Sequence, residues 1–141
     1  MKQLNKKFKN LENLLKNYKV VRLAYVFGSY AKNDVGKLSD IDIAVLLEQG
    51  IKKNRISKLK LKLIHDISIA IKTNKIDLII MNNAPLSINH EVIKEGRLIV
   101  CKDNSEKNNF ETYIMSRYLD MKYYIKRHHQ IFLRKLGGSV S

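Results

Sequence analysis

The strongest constraint in this sequence is an apolar segment that ends in a Gly-Ser pair and is followed by two closely spaced aspartates. The apolar segment runs from Val20 to Phe27, Gly28-Ser29 follows at once, and Asp40-x-Asp42 comes after ten further residues. β-Branched and aromatic residues dominate the first segment, which predicts a buried strand. Glycine lets the backbone approach a ligand closely and serine adds a hydroxyl, so the end of this strand is a candidate ligand site.

Asp40 and Asp42 open a second apolar segment, Asp40–Leu47. Side chains alternate between the two faces of a strand, so both carboxylates are predicted to point to the same side. Like charges at close range repel each other, and a divalent cation would remove the conflict. Mg²⁺ binds carboxylate oxygens together with the phosphate oxygens of a substrate. The pair therefore indicates Mg²⁺ chemistry on a phosphate compound.

A third aspartate interrupts the apolar segment from Lys75 to Met81, which predicts another strand. A buried acid is costly unless it is paired or coordinates a metal, and this favours a functional role for Asp77. The alternative is an aspartate at the entrance of the strand that accepts a backbone hydrogen bond.

Strand and helix patterns alternate along the chain and predict one mixed α/β (α+β) sheet flanked by helices. The loop between Val20–Phe27 and Asp40–Leu47 is too short for a crossover helix, so these strands are predicted to be antiparallel, with helices on one side of the sheet and the acids on the other. The remaining predicted elements are helices over Met1–Tyr18, Ile56–Thr73 and Leu86–Glu95, a strand near the sheet edge over Arg97–Lys102, and one or two helices over Ser105–Leu136.

The length of 141 residues suits a single domain, with a core over about residues 1–102 and a C-terminal helical segment over about 105–136. Four of the seven tyrosines lie in that C-terminal segment. Packing on the sheet and a partner-binding face both explain its apolar periodicity, and the two functions are compatible on opposite sides of a helix.

The formal net charge is +14, which is compatible with an anionic partner. Lysine outnumbers arginine and the lysines are spread along the whole chain, so a compositional origin is favoured and no direct nucleic-acid binding is expected. No apolar run is long enough to cross a bilayer, the N-terminal residues lack the apolar core of a signal peptide, and Cys101 is the single cysteine. A cytoplasmic protein without membrane contact is expected.

Gly28-Ser29, ten intervening residues and Asp40-x-Asp42 resemble the signature of the polymerase-β-like nucleotidyltransferases. The closest resemblance is to the minimal nucleotidyltransferase (MNT) group, whose members are often antitoxins paired with HEPN-domain ribonuclease toxins, and the cluster Arg117-Tyr118-x-Asp120 also resembles the tail of that group. The family usually has Arg-Gly where this chain has Lys32-Asn33. A lysine keeps the positive charge but cannot form the planar two-pronged contact of arginine with phosphate.

The resemblance implies a Mg²⁺-dependent adenylyltransferase with two metal ions and ATP as substrate. It would transfer AMP to a hydroxyl, that of a tyrosine, on a cognate HEPN toxin in a hetero-oligomer. The implied catalytic and metal-binding residues are Asp40, Asp42 and Asp77, and the implied nucleotide-binding residues are Gly28, Ser29, Lys32 and Ser39. Ser39 either orients a carboxylate or only ends the turn.

Two alternative functions come from different classes. One is a small-molecule nucleotidyltransferase of the aminoglycoside-modifying type, although those enzymes usually carry a larger C-terminal helical domain than this chain offers. The other is a non-catalytic antitoxin that neutralises its partner by binding alone, and the presence of all three acids argues against it.

Overall fold

Four helices and four strands account for the part of the chain described by the computed structural model, which is residues 2–28 and 41–137. The predicted strands agree with the observed ones to within one residue at each described end, and the third helix has its predicted bounds. The elements in order are α1 (Lys2–Lys16), β1 (Val21–Phe27), β2 (Ile41–Leu47), α2 (Lys53–Ile71), β3 (Ile76–Ile80), α3 (Leu86–Glu95), β4 (Arg97–Cys101) and α4 (Asn104–Gly137).

The strands form one mixed sheet in the order β3-β2-β1-β4. β1 is antiparallel to both β2 and β4, which confirms the predicted pairing of the first two strands and places β4 at an edge. β2 and β3 are parallel, and the 19-residue helix α2 provides the crossover that a parallel connection needs. β3 forms the other edge of the sheet.

Helices α1 and α2 cover one face of the sheet. Their buried leucines and isoleucines pack against alternate residues of all four strands, because side chains two apart on a strand share a face. The buried side chains at the centre of this layer include Leu11, Leu15, Ala24, Val26, Ile43, Val45, Leu63 and Ile67.

The opposite face is also covered, which corrects the prediction that all helices lie on one side. Val92 of α3 is buried against Leu23, Tyr25 and Ala44, and Phe110 of α4 packs at the margin of this second cluster. The physical reason is that β1 and β2 are apolar on both of their faces, and such strands need cover on both sides. The sheet is therefore the middle layer of three.

The first half of α4 is attached to the sheet and to α3 by specific side-chain contacts. Arg22 of β1 binds Glu106 through two hydrogen bonds, one of them 3.0 Å long, and the Tyr25 hydroxyl donates a 3.0 Å hydrogen bond to Glu111. The rings of His90 and Tyr118 are stacked, with centroids 3.6 Å apart. Burial and the neighbouring Glu111 carboxylate raise the pKa of Tyr25, so its hydroxyl stays a donor.

One or two helices were predicted over Ser105–Leu136, and the structure has a single long helix there, α4. Ile114 is buried, whereas the side chains from Lys122 to Leu136 are all exposed. Within residues 2–28 and 41–137, no helix combines the length and the apolar character that crossing a bilayer would require.

A tyrosine–aspartate pair connects the end of α1 to α2. The Tyr18 hydroxyl donates a hydrogen bond to Asp66, and Lys62 lies 5.7 Å from the centre of the Tyr18 ring. Burial and this hydrogen bond raise the pKa of Tyr18 to about 12. The same hydrogen bond lowers the pKa of the Asp66 carboxyl.

The raised pKa of Tyr18 leads to a prediction about stability at alkaline pH. A group whose pKa is higher in the folded state stabilises the fold fully below its unfolded pKa and loses this contribution as the pH rises through its folded pKa. We expect Tyr18→Phe to lower the free energy of unfolding by about 1 kcal/mol at pH 7 through the lost hydrogen bond. The difference between wild type and variant should shrink between pH 10 and pH 12. Urea unfolding at several pH values measures this, and a difference that stays constant over the interval would contradict it.

Candidate functional site

The sheet topology brings three of the predicted site residues to one end of the strands, the end at which β1 finishes and β2 and β3 begin. We refer to this end of the sheet as the site edge. β1 ends where β2 begins because these strands are antiparallel, and β3 begins there too because it is parallel to β2. The register pairs Phe27, the last residue of β1, with Asp42, and it pairs Asp42 with Asp77. Gly28 follows Phe27 directly, so it reaches the same edge.

Asp42 and Asp77 lie side by side on one face of the sheet. Register partners on neighbouring strands point to the same side, and the strands of a sheet lie about 4.8 Å apart. Ala44 and Ile79 follow the two aspartates at the next positions on that side, and both belong to the apolar layer under α3 and α4. The two acids therefore share the face that these helices cover, at its end.

The expected burial of Asp77 is wrong, because its side chain is exposed. β3 is an edge strand, and Asp77 is only its second residue, ahead of the positions at which the sheet is covered. Because Asp77 is exposed, its carboxylate carries no free-energy cost of burial that a bound metal would have to offset. The argument for its role now depends on the register with Asp42, which is half-buried in the adjacent strand.

Gly28 also has a steric role toward Asp42 that the sequence pattern did not indicate. Its φ is +73°, a left-handed conformation that favours glycine. A Cβ at this position would lie 2.3 Å from Oδ2 of Asp42, well inside van der Waals contact. Glycine is therefore needed here to leave room for the carboxylate, in addition to the predicted approach of a ligand to the backbone.

Four of the predicted site residues lie outside the described residues 2–28 and 41–137. They are Ser29, Lys32, Ser39 and Asp40, and their roles in binding and catalysis stay predictions, as does the shared orientation of Asp40 and Asp42. Of the predicted site, the structure describes Gly28, Asp42 and Asp77, and these three come together.

The donor set of the described residues suits a hard divalent cation. Two carboxylates in register supply the oxygen ligands that Mg²⁺ prefers, and Mg²⁺ characteristically uses one or two carboxylates plus substrate phosphates. In the part of the chain that the structure describes, no group of three His, Cys, Asp or Glu side chains is placed to hold a metal. Asp42 and Asp77 supply two of the three predicted carboxylates, and the third, Asp40, lies outside the described residues.

Two basic regions lie away from the two aspartates. Arg97, at the start of β4, has its guanidinium 5.8 Å from the centre of the Phe8 ring, on the face of the sheet that α1 covers. A cavity lined by Lys52, Arg55 and Lys58 lies at the start of α2, beyond the end of β2 that is remote from Asp42. Neither places a positive charge beside the two aspartates.

Comparison with solved structures gives the same fold at low sequence identity. A chain of a toxin–antitoxin crystal structure with AMP-PNP has a TM-score of 0.67 and 22% identity, over 92% of this chain and 98% of that chain. A chain of the tri-AMPylated Shewanella oneidensis HEPN toxin in complex with MNT antitoxin has a TM-score of 0.64 and 20% identity, over 90% and 98%. A chain of the toxin–antitoxin MntA–HepT has a TM-score of 0.62 and 21% identity, over 93% and 97%.

The sequence itself was compared with curated proteins and with family models. No curated protein matches it significantly. The family model described as polymerase beta, nucleotidyltransferase matches residues 9–105, which is more than half of the chain and includes every predicted site residue. The mixed sheet, the edge that joins Gly28, Asp42 and Asp77, and this match together show that the chain belongs to the polymerase β nucleotidyltransferase family.

Proposed function

We propose that this protein transfers AMP from ATP to a tyrosine hydroxyl of a cognate HEPN ribonuclease toxin and neutralises the toxin in this way. The observation that carries the proposal is the placement of Asp42 and Asp77 in register, beside Gly28, in a chain of the nucleotidyltransferase family. Support for the nucleotide comes from the related fold crystallised with AMP-PNP, and support for the acceptor comes from the related complex with an AMPylated HEPN toxin.

ATP would bind where β1 ends. Gly28 has no side chain, so a phosphate oxygen would be able to approach its backbone N–H closely. Ser29 would add its hydroxyl to the same phosphates, and Lys32 would add a positive charge. Ser39 would hold the neighbouring Asp40 carboxylate in position. The binding energy would serve mainly to align the triphosphate with the acceptor.

Asp40, Asp42 and Asp77 would hold Mg²⁺, with two ions expected. When bound, the metal supplies charge neutralisation of the triphosphate and polarisation of its α-phosphate. The carboxylates themselves would fix the position of the nucleotide relative to the acceptor. Asp42 suits this task because it is half-buried and because Gly28 leaves room for its Oδ2.

The transfer step would be an in-line displacement at the α-phosphorus. The acceptor oxygen forms a bond to the α-phosphorus, the bond from that phosphorus to the α–β bridging oxygen breaks, and pyrophosphate leaves with the electron pair. The proton of the acceptor hydroxyl would pass to Asp77, which is exposed at the edge of the sheet and therefore accessible to an incoming protein side chain. The product would be an O-adenylylated tyrosine.

Intact-mass spectrometry of a HEPN toxin from the same genome tests this function. After incubation with this protein, ATP and Mg²⁺, we expect the toxin mass to increase by one AMP or a small multiple of it. Asp42→Asn and Asp77→Asn should each slow the transfer on the order of 100-fold or more, because each removes a charged group from the reacting centre. Glu48→Gln, which neutralises an exposed carboxylate just after β2, at the end of that strand remote from Asp42, is the matched control and should leave the rate unchanged.

The alternatives give different results in the same assay. If the toxin forms a stable, inactive complex but gains no mass, the protein acts by binding alone. If the toxin is neither bound nor modified while an aminoglycoside is adenylylated, the small-molecule function replaces the one proposed.

The contact between Gly28 and Asp42 supplies a further prediction with a matched control. Gly28 and Gly50 both have positive φ, but a Cβ at Gly50 would meet no heavy atom within 4 Å. We expect Gly50→Ala to cost about 1 kcal/mol of folding free energy from backbone strain, with AMP transfer retained. Gly28→Ala should cost more and reduce AMP transfer on the order of 100-fold, because its methyl group displaces the Asp42 carboxylate. Equal effects of the two variants on stability and transfer would contradict this role of Gly28.

A further inference from the structure

The second half of α4 is a helix whose side chains are exposed, in contrast to its first half. The helix is attached through Glu106, Glu111 and Tyr118, and after Met121 every side chain up to Leu136 is exposed. We refer to residues 122–137 as the distal arm. At 1.5 Å per residue the arm is about 24 Å long. In proteins most of the stability of a helix comes from the packing of its apolar face, and in the arm that face is exposed.

The arm carries an apolar stripe that continues the buried side of the same helix. Ile114, Tyr118 and Met121 face the domain and are buried or half-buried. Ile125, Phe132 and Leu136 follow at the helical spacing that keeps them on this side, and they are 56%, 59% and 62% exposed. The pattern that packs on the domain is thus repeated where the domain no longer covers it, as expected for an interaction surface.

The charge of the arm determines what kind of surface can cover the stripe. Residues 122–137 contain five Lys and Arg side chains and no Asp or Glu. The five are Lys122, Lys126, Arg127, Arg134 and Lys135. A second copy would bring five more cations against these, and the whole chain has 27 Lys and Arg against 13 Asp and Glu. Self-association is therefore opposed by repulsion, and a partner with carboxylates around its binding surface is favoured.

The stripe also favours a protein over a nucleic acid. Ile125, Phe132 and Leu136 lie along its centre, and only one of these three has an aromatic ring on which a base can stack. The ring of Tyr124 lies tilted against His128 of the same helix, with centroids 4.2 Å apart. An amphipathic helix of this kind matches the helix-in-groove mode of protein recognition.

We propose that the distal arm docks into an apolar groove bordered by acidic residues on the protein that this enzyme modifies. This inference rests on the proposed function, in which that protein is a HEPN toxin. The arm is then an anchor that raises the concentration of the acceptor tyrosine at the edge formed by Gly28, Asp42 and Asp77. Because it acts through binding remote from the reacting atoms, its loss should raise KM for the toxin and leave kcat unchanged.

Two double variants and one control test the arm on the full-length protein. Ile125→Ser/Phe132→Ser removes the stripe, and Lys126→Glu/Arg127→Glu reverses two charges. Leu61→Ser/Ile69→Ser is the control, because these residues of α2 are 72% and 64% exposed and the variant likewise places two serines on an exposed helix surface. Calorimetric affinity for the HEPN toxin, AMP transfer at varied toxin concentration, and sedimentation of the protein alone are measured for each, with circular dichroism confirming the fold.

We expect both arm variants to bind the toxin about tenfold or more weakly and to show a raised KM with unchanged kcat. The control should remain within about twofold of wild type. If toxin binding depends on the arm but no AMP is transferred, the arm proposal is supported and the proposed function is overturned.

If AMP is transferred and both arm variants have unchanged affinity and KM, the arm proposal is overturned and the proposed function stands. If the wild-type protein forms no complex with the toxin, the arm proposal is also overturned.

Two further results would identify a different binding partner for the distal arm and overturn the proposal. One is a wild-type dimer that Ile125→Ser/Phe132→Ser converts to a monomer, which would make a second copy the partner. The other is tight binding of a fluorescent single-stranded RNA that Lys126→Glu/Arg127→Glu abolishes while toxin binding is unaffected.

Discussion

The parallel pairing of β2 with β3 sets the position of the two described acids, and the rest of the candidate site depends on it. Ile43 and Val45 of β2 are buried between α1, α2 and the sheet, so a slip of β2 by one residue would remove them from this layer and turn Asp42 into it. The same register fixes Asp42 beside Asp77. Two like charges side by side destabilise a sheet, and a bound cation with a phosphate ligand would offset that cost.

The three-layer architecture explains how the chain maintains such an arrangement. Apolar side chains on both faces of β1 and β2 bury the middle of the sheet, while the edge at which Gly28, Asp42 and Asp77 meet remains accessible. Gly28 contributes by having no Cβ, since even a methyl group would collide with Asp42. The buried packing that stabilises the fold is thus concentrated in the centre of the sheet, and the candidate catalytic groups lie at its end.

Much of this was predictable from the sequence, and the differences have physical causes. Apolar runs and turn residues located the strands to within one residue, and the short loop between β1 and β2 correctly implied antiparallel strands. A continuous apolar strand does not reveal whether one or two helical layers cover it, so α3 and α4 were placed on the wrong side. Nor does an apolar run show that its strand lies at an edge, which is why Asp77 was expected to be buried.

The candidate site was predictable to the extent that it depends on residue type and spacing. Gly28, Asp42 and Asp77 were identified by these and do meet, but the steric contact between Gly28 and Asp42 depends on register and backbone φ, which no local pattern encodes. The roles of Ser29, Lys32, Ser39 and Asp40 stay predictions. In α4, helical periodicity indicated an apolar face along the whole helix, but only the packing shows where the domain stops covering it.

A crystal structure of the full chain with a non-hydrolysable ATP analogue and Mn²⁺ in place of Mg²⁺ would test the central claim most directly. Anomalous scattering locates Mn²⁺ independently of the protein density. We expect a Mn²⁺ peak coordinated by both Asp42 and Asp77, with the phosphates of the nucleotide against the backbone of Gly28. Nucleotide bound elsewhere, for example in the basic cavity at the start of α2, with no Mn²⁺ between the two aspartates, would contradict the assignment of this edge as the active site.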